Sequence, residues 1–436
     1  MTATQRDRYL EVRRRSERFC DPLAVEDYGL QAMASTSPAK WHLAHTAWFF
    51  ETFLLKPFAA GYQSPQPQFE QLFNSYYNGI GQPFARHRRG LLSRPTVAEV
   101  YQYRAAVDDA MQALISAPPA QHAETIANRV ELGLHHEQQH QELFFTDLKY
   151  CFAQNPLYPR YHSTTPAAAA AVTPLSWWQH PGGQVQIGNH GQGFAFDNEM
   201  PAHPVLLQPF ALANRLVSNA EFLQFIADGG YRRPELWLAD GWQVVQDQGW
   251  QHPLYWQREA GDAMNSRNPE NGWQEYRLAG LQPLEPAAPV CHLSAYEADA
   301  YARWAGARLP TEFEWEAAAQ QQAVAGHFVD SGHLHPRPAT AEPLSQQLNQ
   351  LYGDVWEWTA SSYAPYPGFR ASTDTIGEYN GKFMCNQWVL RGGSCVSSAD
   401  HLRSSYRNFF YPPDRWQFSG LRLARDLDAR ANTNGI

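Results

Sequence analysis

Cysteine is scarce in this chain. Its 436 residues contain five, Cys20, Cys151, Cys291, Cys385 and Cys395, an odd number with no C-x-x-C spacing, which excludes a disulfide framework and a zinc ribbon. Long basic blocks are missing as well. The formal net charge is −9, and the clusters Arg13-Arg14-Arg15 and Arg86-His87-Arg88-Arg89 are short, so nucleic acid is not an expected partner. No stretch approaches the roughly 18 apolar residues of a spanning helix, and Met1 to Leu10 carries Arg6, Asp7 and Arg8 where a signal sequence would be apolar. A cytoplasmic protein with no membrane partner is expected. There is no internal repeat, and low complexity is confined to the alanines up to Ala171.

Aromatic residues, by contrast, are plentiful. They make up 14% of the chain and include 15 tryptophans, which suits large cores or aromatic-lined pockets. The length predicts two or three domains. Residues 155–176, with Pro156, Pro159, Pro166 and the alanine run, keep neither a helical nor a strand period and read as a linker. The preceding residues, 1–154, show helical patterns over Thr4 to Cys20, Ser37 to Leu55, Thr96 to Ala117 and Ala120 to Ala153, enough for an up-and-down four-helix bundle. Beyond the linker, 177–436 has short apolar runs broken by Gly, Pro and Asn. Its two clear helical patterns are Ser218 to Ala227 and Leu293 to Trp304, so an irregular α+β domain is expected.

The run Gly133 to Phe145, GLHHEQQHQELFF, carries the chemistry. His140 falls about 40° round a helix from His136, so one helix can offer two imidazoles to one ion. Glu142, at about 240°, points away from that ion, whereas Gln139, about 60° to the other side, can face a substrate beside it. A third nitrogen is available from the apolar helix that begins with Ser37 and Pro38 as cap and first turn. Spacing leaves His42 and His45 both open for that role. Three neutral imidazoles with free positions suit Fe(II), Zn(II) or Cu(II) alike.

Five words of the second half stand in a recognisable order: Gly193-Phe194-Ala195-Phe196-Asp197-Asn198-Glu199, Leu216 to Phe222, Trp304 to Glu316, Gly353-Asp354-Val355-Trp356-Glu357-Trp358 and Leu390-Arg391-Gly392-Gly393-Ser394. This half resembles the formylglycine-generating enzyme, or sulfatase-modifying factor, a C-type-lectin-like fold. The paired copper-binding cysteines of that enzyme fall here on Ser397 and Leu402, so the resemblance implies the fold and not that reaction. The first half resembles the DinB-like bundle, with the His-x3-His-x-Glu word at His136, His140 and Glu142 and the Leu-Ala-His word at Leu43, Ala44 and His45. Together the halves resemble the iron-dependent sulfoxide synthases of ergothioneine biosynthesis, the EgtB family.

That resemblance implies Fe(2+) held by His45, His136 and His140. It implies oxidative joining of a thiol sulfur, from cysteine or γ-glutamylcysteine, to imidazole carbon 2 of hercynine, with O2 as oxidant and hercynylcysteine S-oxide as product. Matching words place Gln139 at the hercynine imidazole, Asn408 near its carboxylate and trimethylammonium end, and Phe409 and Phe410 against the cation. Arg86 and Arg89 match an Arg-x-x-Arg pair that grips the thiol's carboxylate. The pair Tyr76 and Tyr77, in Phe73-Asn74-Ser75-Tyr76-Tyr77-Asn78, resembles the catalytic tyrosines of the second type of the family, whereas other members place theirs in the C-terminal domain. Two other readings fit the same residues: a selenoneine synthase, which joins a selenosugar to hercynine, and a metal- or ligand-binding module without catalysis.

Overall fold

The computed structural model describes residues 4–163, 170–191, 193–258, 272–340, 348–371 and 375–427. Residues 164–169 of the expected linker therefore lie outside the described residues. The chain divides into two compact units, one made of Met1–His162 with Arg370–Lys382, the other of Ser163–Phe369 with Phe383–Ile436.

In the first unit four long helices, α1 Gln5–Arg18, α2 Ala39–Phe50, α3 Val97–Ser116 and α4 Ala123–Ala153, follow the four helical patterns of the sequence. Short polar side chains set two of the starts. Thr4 accepts from the Asp7 amide and Thr96 from the Glu99 amide, and each acidic partner returns a hydrogen bond, closing a capping box. The second helix starts later than Ser37, at Ala39, with Pro38 as its cap residue. Ser37 is occupied elsewhere: its backbone N–H donates to Asp147 and its hydroxyl accepts from Arg89. After Phe50 the helix widens into a π-turn, Glu51–Leu55, where buried Glu51 accepts from the Tyr62 and Tyr103 hydroxyls at 2.7 Å each.

Every residue of α2 is buried, as expected of a helix that is apolar nearly all round and central to a bundle. Its polar groups are answered by neighbours. Arg104 of α3 donates to the Leu43 carbonyl at 2.7 Å and the Thr46 hydroxyl at 2.9 Å, and also to Glu137 of α4, which receives Arg13 and Ser16 of α1 at 2.8 and 2.6 Å. This buried network ties all four helices together behind the face that carries His136. On α4, Gly133 lets α2 approach: a Cβ there would stand 2.5 Å from the Phe50 ring.

The second unit is α+β. A four-stranded sheet runs in the order Asn408–Phe410, Trp388–Arg391, Trp356–Ser362, Ser419–Gly420, antiparallel except for its last pair. A three-stranded antiparallel sheet joins Trp177–His180, Phe210–Ala213 and Ala424–Asp426. Helices α5 Asn219–Ala227 and α7 Ala295–Trp304 were anticipated by the sequence, each opened by a Ser–Glu capping box. Two more, α6 Ala239–Gln248 and α8 Glu312–Ala319, were not. The first has no side-chain cap, and the second is eight residues long, too short to show a period. Buried ion pairs Arg422–Glu357 and Arg407–Glu312, at 2.9 and 2.8 Å, stand where an apolar core is usual. No described helix is long and apolar enough to cross a membrane.

Candidate metal centre

The approach of α2 to α4 brings three imidazoles together. His45 of α2 faces His136 of α4 with their Nε2 atoms 3.2 Å apart, the span left by two bonds of about 2.0–2.1 Å to a shared ion. With His140, one turn on, they offer ligand atoms all within 4.8 Å of one another. His45 and His136 are buried and His140 is part-buried. Burial drives His45 and His140 well below the ordinary imidazole range and His136 down to about 3, so all three are neutral, the ligating form.

Neighbours fix the ring orientations. His45 Nδ1–H donates to the Phe73 carbonyl at 2.6 Å, which leaves its Nε2 lone pair for an ion. Buried His136 Nδ1 has no hydrogen-bond partner among the described residues. His140 Nδ1 lies 2.9 Å from His42 Nδ1, and His42 Nε2 lies 3.1 Å from Asp147 Oδ2. Of the two candidates on α2, His45 therefore joins the cluster, and the two nitrogens of His42 are taken up by His140 and Asp147. Glu142, buried on α4, is not part of the group, in keeping with its angular position.

Aromatic planes line up along α2. The Trp41 indole stacks on His45 at 4.5 Å and 12°, and Trp48 follows at 5.4 Å and 17°. The guanidinium of Arg89 lies 3.5 Å above Trp41. Arg89 is 2% exposed; it donates to Ser37 Oγ at 2.9 Å, while its Nε and second terminal nitrogen have no hydrogen-bond partner among the described residues. Burial, with the charge of Arg86 beside it, works against its cationic form. An arginine stays charged regardless, and the carboxylate of Asp147 acts in the opposite direction, favouring the charge. Arg86 is placed differently, exposed and donating to the Ser35 carbonyl.

Gln139, on the flank of the cluster, accepts a hydrogen bond from the Tyr379 hydroxyl. The Tyr379 ring sits 5.7 Å from that of His136, and Lys382, three residues on, donates to the Tyr76 carbonyl at 2.5 Å. Tyr76 and Tyr77 stack on each other at 4.7 Å, and Tyr77 packs against Trp48 and Phe53 at 5.6 and 5.1 Å. Asn74 pins this loop, accepting from the Tyr77 amide and donating to the Tyr77 and Gly81 carbonyls.

Asn408, Phe409 and Phe410 form a strand of the second unit. Phe409 stacks on Tyr363 at 4.0 Å, Phe410 lies 6.2 Å from Trp416, and Asn408 accepts from the Phe409 amide. Sequence reasoning passed over three contributors: the Phe73 carbonyl, Tyr379 and Asp147. Only Asp147 left a signal, since seven residues beyond His140 it returns to the same helix face.

Known proteins resemble the chain throughout. Residues 8–144 match the DinB superfamily, and 179–347 with 339–427 match the sulfatase-modifying factor enzyme 1-like domain. The chain is 32% identical to the hercynine oxygenase of Mycolicibacterium thermoresistibile, over 92% of this chain and 90% of that one. To the hercynine oxygenase of Mycolicibacterium smegmatis it is again 32% identical, over 90% and 91%. A formylglycine-generating enzyme of Streptomyces coelicolor is 28% identical over 61% of this chain and 96% of its own.

Proposed function

The chain belongs to the hercynine oxygenase family, and on that premise we propose that it is an iron(II)-dependent sulfoxide synthase. It joins the sulfur of cysteine to imidazole carbon 2 of hercynine and yields hercynylcysteine S-oxide, or joins that of γ-glutamylcysteine and yields the same sulfoxide still carrying its γ-glutamyl group. The balance is closed by O2. The C2–H and S–H hydrogens leave with one oxygen atom as water and the other oxygen stays on sulfur, so C–S bond formation and sulfur oxidation together take up four electrons.

The observation that carries this reading is the three-histidine cluster with a buried, incompletely paired guanidinium in the same aromatic stack. His45, His136 and His140 would hold the metal, and their neutral donor set fits ferrous iron. Bound there, iron supplies the activation of triplet O2 that closed-shell substrates cannot achieve alone.

The remaining work belongs to side chains. Arg89 takes the thiol substrate's carboxylate, with the exposed Arg86 beside it, and this anchors the sulfur beside the cluster. A selenosugar has no carboxylate to offer the two buried guanidinium nitrogens of Arg89 that lack a hydrogen-bond partner, so the amino-acid thiol is favoured. Gln139 hydrogen-bonds the hercynine imidazole. Protons for oxygen reduction come from phenols: the Tyr76–Tyr77 pair, or Tyr379, whose hydroxyl already engages Gln139.

Product mass spectrometry tests the proposal. Anaerobically iron-loaded protein is given hercynine, O2 and, in separate vessels, cysteine, γ-glutamylcysteine or a selenosugar. A hercynylcysteine S-oxide is expected with cysteine. Product with the selenosugar alone would move the chain to selenoneine synthesis, and none in any vessel would leave a binding module.

A further inference from the structure

Two buried groups next to the cluster have no part in the scheme above. His42, 5% exposed on α2, and Asp147, 3% exposed on α4, complete a line of hydrogen bonds that ends on His140. Asp147 Oδ2 accepts the Ser37 backbone N–H at 2.8 Å and lies 3.1 Å from His42 Nε2, while His42 Nδ1 lies 2.9 Å from His140 Nδ1.

Only one assignment of protons satisfies the whole line with neutral rings. A carboxylate is an acceptor alone, so His42 must carry its proton on Nε2 and donate it to Asp147. That leaves a lone pair on His42 Nδ1, which must accept from His140 Nδ1–H. The remaining lone pair of His140 is then on Nε2. His45 reaches the same state by a different route, through the Phe73 carbonyl.

We infer that His42 and Asp147 form a positioning relay for His140: the carboxylate fixes the His42 tautomer, and His42 in turn holds the His140 ring with Nε2 turned to the metal. The inference rests on the metal-site reading above. It adds to that reading a dependence of metal affinity and ligand field on two residues that never touch the ion. Partners of this kind commonly contribute about 10–100-fold to metal affinity. Burying an imidazole and a carboxylate beside the cluster with no such role is otherwise costly.

The test titrates the full chain, freed of metal by chelation, with Co2+ and reads both affinity and the visible d–d bands. Wild-type protein is expected to bind about one equivalent and His45→Ala none. His42→Leu is expected to weaken binding about 10–100-fold and to shift the bands, because the freed His140 ring can turn or change tautomer. His42→Asn, whose side-chain oxygen stands where Nδ1 stood, keeps the acceptor and should recover most of the affinity and the wild-type bands. Wild-type binding and spectra in both His42 variants would overturn the relay while leaving the metal site intact. A loss in His42→Leu that Asn does not recover, with unshifted bands, would reduce His42 to packing and also overturn it. Absence of Co2+ binding in the wild type would remove the metal site itself and the relay with it. Should His42→Leu not fold, Asp147→Asn carries the test. An amide can donate to His42 Nε2 and reverse its tautomer, so weakening with shifted bands is expected, and wild-type behaviour overturns the relay.

Discussion

Arg86 and Arg89 are neighbours in one short motif, yet the fold treats them oppositely. Sequence shows two guanidiniums three residues apart; it cannot show that one lies over Trp41 and the other in solvent. The difference predicts a graded response. Arg89→Ala should raise the KM for the thiol roughly 10- to 100-fold, the worth of a buried charged hydrogen-bonding pair, with little change for hercynine, and Arg86→Ala should raise it less. Steady-state kinetics with each substrate varied in turn checks this; equal effects of the two variants would disprove the graded arrangement. His45 and His42 make the same point about legibility. Three residues apart on an apolar helix, they are equivalent by spacing, and only their neighbours separate ligand from support. Asp354 adds a residue whose cost is read in pH. Burial pushes its carboxyl up to about 7 from 3.8, although the Arg337 amide donates to it. Between about 4 and 7 the unfolded chain releases a proton that the folded chain keeps, so this group's stability contribution is full below about 4 and lost as pH rises through 7. Asp354→Asn retains the acceptor and cannot ionise. It should melt above wild type at pH 8 and level with it at pH 4 in a thermal-denaturation series.

At the scale of elements, four of the six helices that sequence revealed, α1, α3, α5 and α7, combine an apolar period with a polar start, whereas α2 and α4 open without a side-chain cap. Thr4–Asp7, Thr96–Glu99 and Ser218–Glu221 mark the first turns of α1, α3 and α5 in the chain and in the structure alike. The π-turn at Glu51–Leu55 was not visible, because it depends on Tyr62 and Tyr103 reaching Glu51 from elsewhere in the fold. Nor was the role of Gly133, an unremarkable glycine in a helix until Phe50 is seen against it. Alanine there would gain helix propensity, about 1 kcal/mol, but its Cβ would stand 2.5 Å from the Phe50 ring, and overpacking of this kind costs about 1–3 kcal/mol. Gly133→Ala is therefore expected to lower stability. Since His136 lies one turn further along the same helix, it should also weaken Co2+ binding. Denaturant unfolding and metal titration of the same variant separate the two effects, and unchanged values in both would show that α2 and α4 tolerate a wider spacing.

For the whole chain, the order of motifs was enough to read the two folds, but not the way the sequence is shared between units. Arg370–Lys382 lies deep in the second half of the sequence and belongs to the first unit. Tyr379 and Gln139 are 240 residues apart and share a hydrogen bond, a pairing that neither composition nor periodicity can disclose. Three phenols are consequently available to the cluster's surroundings, two from the Phe73 to Asn78 word and one from the distant segment. They can be told apart. A proton donor acting in the transition state is worth about 10²–10⁴ in rate and leaves substrate binding nearly untouched. If Tyr379 is that donor, Tyr379→Phe should lower kcat at least about 100-fold with both KM values within a few-fold of wild type, and should retain Co2+ affinity. Tyr76→Phe and Tyr77→Phe would then act weakly. The reverse pattern, a large kcat loss in Tyr76→Phe or Tyr77→Phe and a small one in Tyr379→Phe, would assign proton delivery to the N-terminal pair and leave Tyr379 to hold Gln139 in place. Product analysis belongs beside the kinetics. A misplaced proton donor can let thiol oxidation outrun C–S bond formation, so a rise of sulfinic acid over sulfoxide in one variant, with kcat for O2 consumption preserved, identifies the phenol that couples the two.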